Sequence, residues 1–136
     1  MRKTEAHSQD KGLDRDYLVY IITVVWLAAI WTVSSIPLQQ LPSVKIFGWD
    51  KLGHLGQYLI LGLLVNRCLI SMRKKPGVVV IVYIILLLSA ALDEWHQRFV
   101  PFRSVSLWDF LANAAGLGLG CAGYWMYRDR SKKPAA

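Results

Sequence analysis

Four long, nearly uninterrupted apolar stretches limit what this chain can fold into more than any other feature. They cover residues 17–36, 52–71, 78–96 and 107–127, and a helix that crosses a bilayer needs about 20 mainly apolar residues. Backbone in lipid must satisfy its hydrogen bonds within itself, so blocks of this length are read as helices. The fold expected is all-α, a four-span transmembrane helical bundle. Hydrophobic residues are 54% of the 136-residue chain and charged ones only 18%, a balance that a soluble domain of this size could not hide. Pro37 closes the first block, Pro76-Gly77 separates the second from the third, and Pro101 lies between the third and the fourth, each a natural helix boundary.

The first block is longer than the apolar region of a secretory signal and has no clean small-x-small cleavage site after it, so it is read as a retained span. Cys68 and Cys121 both fall inside apolar blocks, where cysteine acts as a small hydrophobe and not as half of a disulfide framework.

The net charge of +7 is distributed as an orientation signal. Twelve basic residues lie in the N-terminal tail (Arg2, Lys3, Lys11, Arg15), the second connection (Arg67, Arg73, Lys74, Lys75) and the C-terminal tail (Arg128, Arg130, Lys132, Lys133). Four lie in the first connection (Lys45, Lys51) and the third (Arg98, Arg103). Basic residues favour the cytoplasmic side, so both termini are expected there and the first and third connections outside. Residues 1–16 and 128–136 are expected as cytoplasmic tails, mobile over 1–16 and 131–136, around a membrane domain over 17–127. Trp49, Trp95, Trp108, Trp125 and Tyr127 lie near block ends, where amphipathic rings anchor at the interface. The charge gives no reason to expect nucleic-acid binding, because no basic helix interleaved with aromatics exists outside the blocks.

The polar residues inside or beside the blocks gather at the outward ends. Asp50 and His54 share a helix face, with Lys51 beside them and Tyr58 a turn deeper. Asp93 and Gln97 share a face that includes Ser89, with Glu94 adjacent. Arg103 lies in the connection that follows. Asp109, Asn113, Gly116, Gly120 and Gly123 form one stripe of the fourth block. The bland reading of the glycines is close helix packing in lipid, and it is preferred. The bland reading of the charges is a salt-bridge cluster that pins the helices. Ionisable groups at membrane depth are costly and face a cavity or a partner, and this set is larger than a pin needs, so an outward-opening polar pocket is preferred. His96 is expected to be a solvated interface residue, and His7 to be unimportant.

Three chemistries could use such a pocket. Asp50, His54, Asp93 and Glu94 are candidates for acid–base or nucleophilic work. Lys51, Tyr58, Gln97, Arg103, Asp109 and Asn113 are candidates for ligand binding, with Lys51 and Arg103 meeting an anionic group. Metal binding by His54, Asp50, Asp93 and His96 is disfavoured, because Lys51 and Arg103 would oppose a cation and no HExxH spacing occurs. No metal and no cofactor are expected.

These residues resemble the signature of the VanZ-like family of small bacterial membrane proteins. The elements are Asp50-Lys51-x-x-His54 with Tyr58, Asp93-Glu94-x-x-Gln97-x-Phe99-x-Pro101-x-Arg103, and Asp109-x-x-x-Asn113-x-x-Gly116. One departure is Phe102, at a position where a glycine often precedes the arginine. The resemblance implies a multi-pass protein of the bacterial cytoplasmic membrane with a role in the cell envelope. The family's founding member is linked to low-level teicoplanin resistance. The function expected is binding or modification of an anionic or lipid-linked envelope molecule at the outer face, affecting glycopeptide sensitivity. A membrane-embedded hydrolase or transferase using the Asp/Glu/His set is the alternative, and a small transporter or structural subunit a further one. Four spans without an internal repeat argue against an autonomous carrier. The expected surroundings are the lipid bilayer and an anionic lipid or lipid-linked envelope precursor.

Overall fold

The computed structural model describes residues 2–37 and 49–131, without the side chains before Asp16 or those of Trp49, Arg128 and Ser131. Lys45, Lys132 and Lys133, and the side chains of the basic residues and His7 in the N-terminal segment, lie outside the described part. Four helices follow one another: α1 (Arg2–Ser34), α2 (Trp49–Ser71), α3 (Pro76–Gln97) and α4 (Leu107–Ser131). Among the described residues there is no strand. The residues expected as an N-terminal tail instead continue the α1 helix back to Arg2, since no proline interrupts them. At the other end α4 runs past Tyr127 to Ser131.

Two segments, Asp16–Ser34 and Pro76–Gln97, are long and apolar enough to cross a membrane. Their outward residues include Val24 and Val25 on α1 and Ile81, Ile84, Ile85 and Leu88 on α3, all exposed. Such surfaces belong in lipid rather than water. The other two helices are less apolar because they carry the polar residues and most of the glycines, and these face each other. α2 and α4 form the most extensively packed pair, α1 lies on α2, and α3 lies on α4.

The α2–α4 seam is closed by glycines. A Cβ on Gly120 would stand 2.7 Å from Gly62 Cα, and one on Gly116 would stand 2.8 Å from Leu59 N. Neither distance is tolerable, so both positions require glycine for backbone approach. Gly123 lies on the same stripe, but a Cβ there meets only Leu63 Cδ2 at 3.8 Å and Asn66 Nδ2 at 4.0 Å. Tyr58, Leu61, Val65 and Leu69 of α2 pack with Leu117 and Tyr124 of α4 and Val79, Leu86 and Ala90 of α3. Buried Asn66 joins three helices: its Nδ2 donates to Gly120 O, and its Oδ1 accepts from Tyr83 Oη at 2.6 Å. Tyr83 Oη also lies 3.1 Å from Gly62 O.

The two described turns have distinct chemistries. After α2, Arg73 takes the left-handed conformation (φ 50°). Its N–H donates to Ile70 O at 2.9 Å, and Lys74 N–H donates to Leu69 O at 3.1 Å, the double bond pattern of a Schellman C-cap. Pro76 then opens α3 at a position that needs no N–H donor. After α3, Phe102 has φ 62°, a left-handed conformation that glycine adopts most easily. Both cysteines are free, and Cys68 Sγ lies 3.4 Å from Thr23 Oγ1.

Candidate functional site

The polar residues singled out in the sequence come together at one end of the bundle, where α1 and α3 end and α2 and α4 begin. They form two groups. The first surrounds His54, on α2. Its Nδ1 lies 3.2 Å from Asn113 Oδ1, on α4, and 3.8 Å from Glu94 Oε1, on α3. At the rim Lys51 Nζ donates to Asp50 Oδ2 at 2.9 Å and to Asp109 Oδ1 at 3.1 Å. The bond to Asp50, then that to Asp109, holds the Lys51 ammonium above its ordinary pKa. The bond from Lys51 holds the Asp50 carboxyl below the usual range. Both rim groups stand outside the apolar stretch of α2.

The second group is built on the end of α1. Gln97 Nε2 donates to Ser34 Oγ at 2.9 Å, and Asp93 lies against the same serine and in the field of His54, His96 and Arg103. Arg103 donates from Nη2 to Val33 O at 2.9 Å and from Nε to Ile36 O at 3.2 Å. The guanidinium there adds a donor to Val33 O, which also accepts Ile36 N–H at 3.2 Å, and covers Ile36 O just beyond the end of α1. Tyr58 stands between the groups, 1% exposed, close enough to feel both Asp93 and Glu94.

Local sequence explains how α4 enters. Ser106 caps it, its Oγ accepting from Asp109 N–H at 3.3 Å. In a capping box the acid three residues on would reach back to the N-cap N–H. Here Glu94 accepts that N–H at 3.5 Å, and the Asp109 carboxylate turns to Lys51 instead. A cleft of about 240 Å³ opens beside this cap, walled by Trp95, Val105, Leu107 and Phe110, with Glu94 and Ser106 as its polar lining.

Several buried polar atoms have no hydrogen-bond partner among the described residues: Tyr58 Oη, Asp93 Oδ1, Glu94 Oε1, His96 Nδ1 and Asn113 Nδ2. Asp93 is 1% exposed, Glu94 3% and Asn113 0%. Buried polar groups are nearly always partnered, and orphaned ones cluster where a ligand, ion or water completes them. His96 departs from the solvated position expected of it: its ring packs against Trp31, centroids 5.9 Å apart, because α1 covers that face of α3.

Every residue expected in the pocket therefore sits at this end. Beside α2, α3 and α4, the end of α1 contributes Ser34, and Val33 O and Ile36 O next to it hold Arg103. Ser34 gave no signal of its own, being one of many small polar residues at helix ends. Asn66 and Gly62 did give one, as a polar residue and a close-packing glycine inside an apolar block.

The VanZ/LLP1 family model matches residues 4–128, which include all the residues gathered at this end. The chain belongs to the VanZ/LLP1 family. No curated protein and no solved structure matches it. Membership in VanZ/LLP1 and the two apolar helices together mark a membrane protein.

Proposed function

We propose that this VanZ/LLP1 protein is a four-span protein of the bacterial cytoplasmic membrane, with both termini cytoplasmic, that binds a lipid-linked envelope molecule at the outer face. The orientation is supported by the twelve-to-four distribution of basic residues. The Schellman turn with Arg73, Lys74 and Lys75 is at the opposite end from the polar groups, which agrees with it.

The observation that carries the binding reading is the cleft beside Ser106. Apolar walls that lead to a buried carboxylate suit an amphiphile, with its chain against Trp95, Leu107 and Phe110 and its head group at Glu94. Lys51 and Arg103 would meet the anionic part of that head group. Both keep unused donors, since Arg103 places two of its five N–H groups on α1 carbonyls. A changed teicoplanin sensitivity on deletion is the envelope phenotype expected.

Mass spectrometry of lipids that co-purify with the protein tests this. A lipid-linked or anionic envelope species should be enriched over bulk membrane, and lost when Phe110→Trp fills the cleft. Bulk membrane composition in both preparations would overturn the reading. Catalysis on the same molecule is the second reading, favoured by the His54–Glu94 approach of 3.8 Å. An enzyme would lose its function almost entirely on Glu94→Gln, and a binding site only gradually.

A further inference from the structure

The sequence argued against a metal because Lys51 and Arg103 would repel it, and the geometry removes much of that objection. Arg103 is turned to the end of α1, with Nη2 and Nε on Val33 O and Ile36 O. Lys51 is matched by Asp50 at 2.9 Å and by Asp109 at 3.1 Å. What stays in the interior is His54, Glu94 and Asp109, whose ligand-type atoms lie within 4.8 Å of one another. Glu94 is the telling member: it is 3% exposed, and its Oε1 has no hydrogen-bond partner while facing His54 Nδ1 at 3.8 Å. Asn113 Oδ1 lies beside the same nitrogen at 3.2 Å.

Charge points the same way. The charged side chains at this end are the carboxylates Asp50, Asp93, Glu94 and Asp109 and the cations Lys51, Arg98 and Arg103. Lys51 pairs with Asp50 and Asp109 and Arg103 is held on Val33 O and Ile36 O, so among the described residues no lysine or arginine forms an ion pair with buried Glu94. A divalent ion would compensate that carboxylate, and uncompensated charge inside an apolar bundle is costly.

We propose that His54 Nδ1, Glu94 and Asp109 bind one divalent first-row metal ion of the zinc or manganese kind, with Asn113 Oδ1 beside it. An imidazole with two carboxylates suits these ions better than calcium or magnesium, which prefer all-oxygen sites. Three protein ligands leave a coordination position for water or for a phosphate oxygen. Ligand atoms around tetrahedral zinc stand about 3.3–3.5 Å apart, so side-chain rotations of roughly 1 Å would close the set. Asp109 can use one oxygen for the metal and keep the other on Lys51, which then orients a ligating carboxylate from behind. A cation here would also turn an acidic cleft into a receptor for an anionic head group. The site uses only these side chains and stands whether or not a lipid binds above it.

The test uses the full chain in detergent, stripped with chelator and titrated separately with Zn²⁺, Mn²⁺ and Co²⁺ by calorimetry without added lipid. One ion per chain is expected, and Co²⁺ should give visible absorption bands of a low-coordinate site. His54→Ala and Glu94→Gln should weaken binding at least tenfold, while Asp129→Asn, at the opposite end of α4, should keep it within threefold. Absence of stoichiometric binding by the wild-type protein, with helicity intact by circular dichroism, overturns the proposal without reliance on any variant. So does binding that His54→Ala and Glu94→Gln leave unchanged.

Discussion

Four glycines on α4 make an internally controlled test of how closely it approaches α2. In Gly120→Ala the new Cβ would stand 2.7 Å from Gly62 Cα and 2.9 Å from Gly62 C. Both are backbone atoms, so no side chain can rotate away. Restoring ordinary contact requires the helices to part by about 0.7 Å, which also stretches the bond from Asn66 Nδ2 to Gly120 O. Gly116→Ala meets the same obstacle at Leu59 N, 2.8 Å away. Gly118→Ala meets nothing within 4 Å, and Gly123→Ala only ordinary contacts at 3.8 and 4.0 Å. All four substitutions gain about 1 kcal/mol of helix propensity. Overpacking takes back about 1–3 kcal/mol, and only at positions 116 and 120. Thermal unfolding in one detergent, followed by circular dichroism, should therefore place Gly118→Ala and Gly123→Ala at or above wild type. Gly116→Ala and Gly120→Ala should fall below those two by about 1–3 kcal/mol. If Gly120→Ala unfolds together with Gly118→Ala, the seam is looser than described and the depth of Asp109 and Asn113 in the bundle is lost with it.

Other features give sharp outcomes. Phe102→Gly should raise stability by up to about 1 kcal/mol in the same unfolding assay, because it removes a left-handed non-glycine residue whose ring is largely exposed. A clear loss would mean that the ring does more than occupy the turn. Asn66→Leu should cost about 2–3 kcal/mol, since Tyr83 Oη loses an acceptor in the interior and the larger branched side chain crowds Gly120, and unchanged unfolding would remove Asn66 as the tie between three helices. A cysteine introduced at Arg98, exposed in the connection after α3, should react with a membrane-impermeant thiol reagent in intact spheroplasts, and one at Lys74 should not. Reversed labelling would move the polar end to the cytoplasm.

The helices were legible because length and composition act on whole segments: each apolar block of about 20 residues forms one helix of the chain. The α4 stripe was legible for a related reason, since small residues repeated at helical spacing have little use other than close approach. Gly116 and Gly120 are where that approach occurs, but Gly123 shares their period without sharing their contact. Periodicity gives a face and not the depth of the partner at each level, and Gly62, the other half of the closest approach, stands in no stripe of its own. The gathering of Asp50, His54, Asp93, Glu94, Asp109 and Asn113 at one end was likewise readable, because each lies at the same end of its own block. Their pairing was not. Lys51 and Arg103 looked alike as cations near carboxylates, yet one sits between Asp50 and Asp109 and the other on the carbonyls of α1. That difference depends on how the ends of two sequence-distant helices meet, and it decides whether a cation could share the site.

The connection over residues 98–106 supplies the missing information. Phe102 turns the chain back in the left-handed conformation. The next residue, Arg103, can then reach across to Val33 and Ile36 and tie down α1. Three residues later Ser106 starts α4 and donates its N–H to Glu94. One short segment thus fixes the end of α1, engages one oxygen of the Glu94 carboxylate and sets where Asp109 and Asn113 enter the bundle. The other oxygen of Glu94 is the one that faces His54. Positive φ at Phe102 is a conformation that glycine adopts at no steric cost, and Arg103 directly after it meets Val33 O and Ile36 O. The segment from Asp93 to Arg103 therefore ties the fold together: Asp93 and Glu94 face the ends of α1 and α2, and its last residues hold the end of α1.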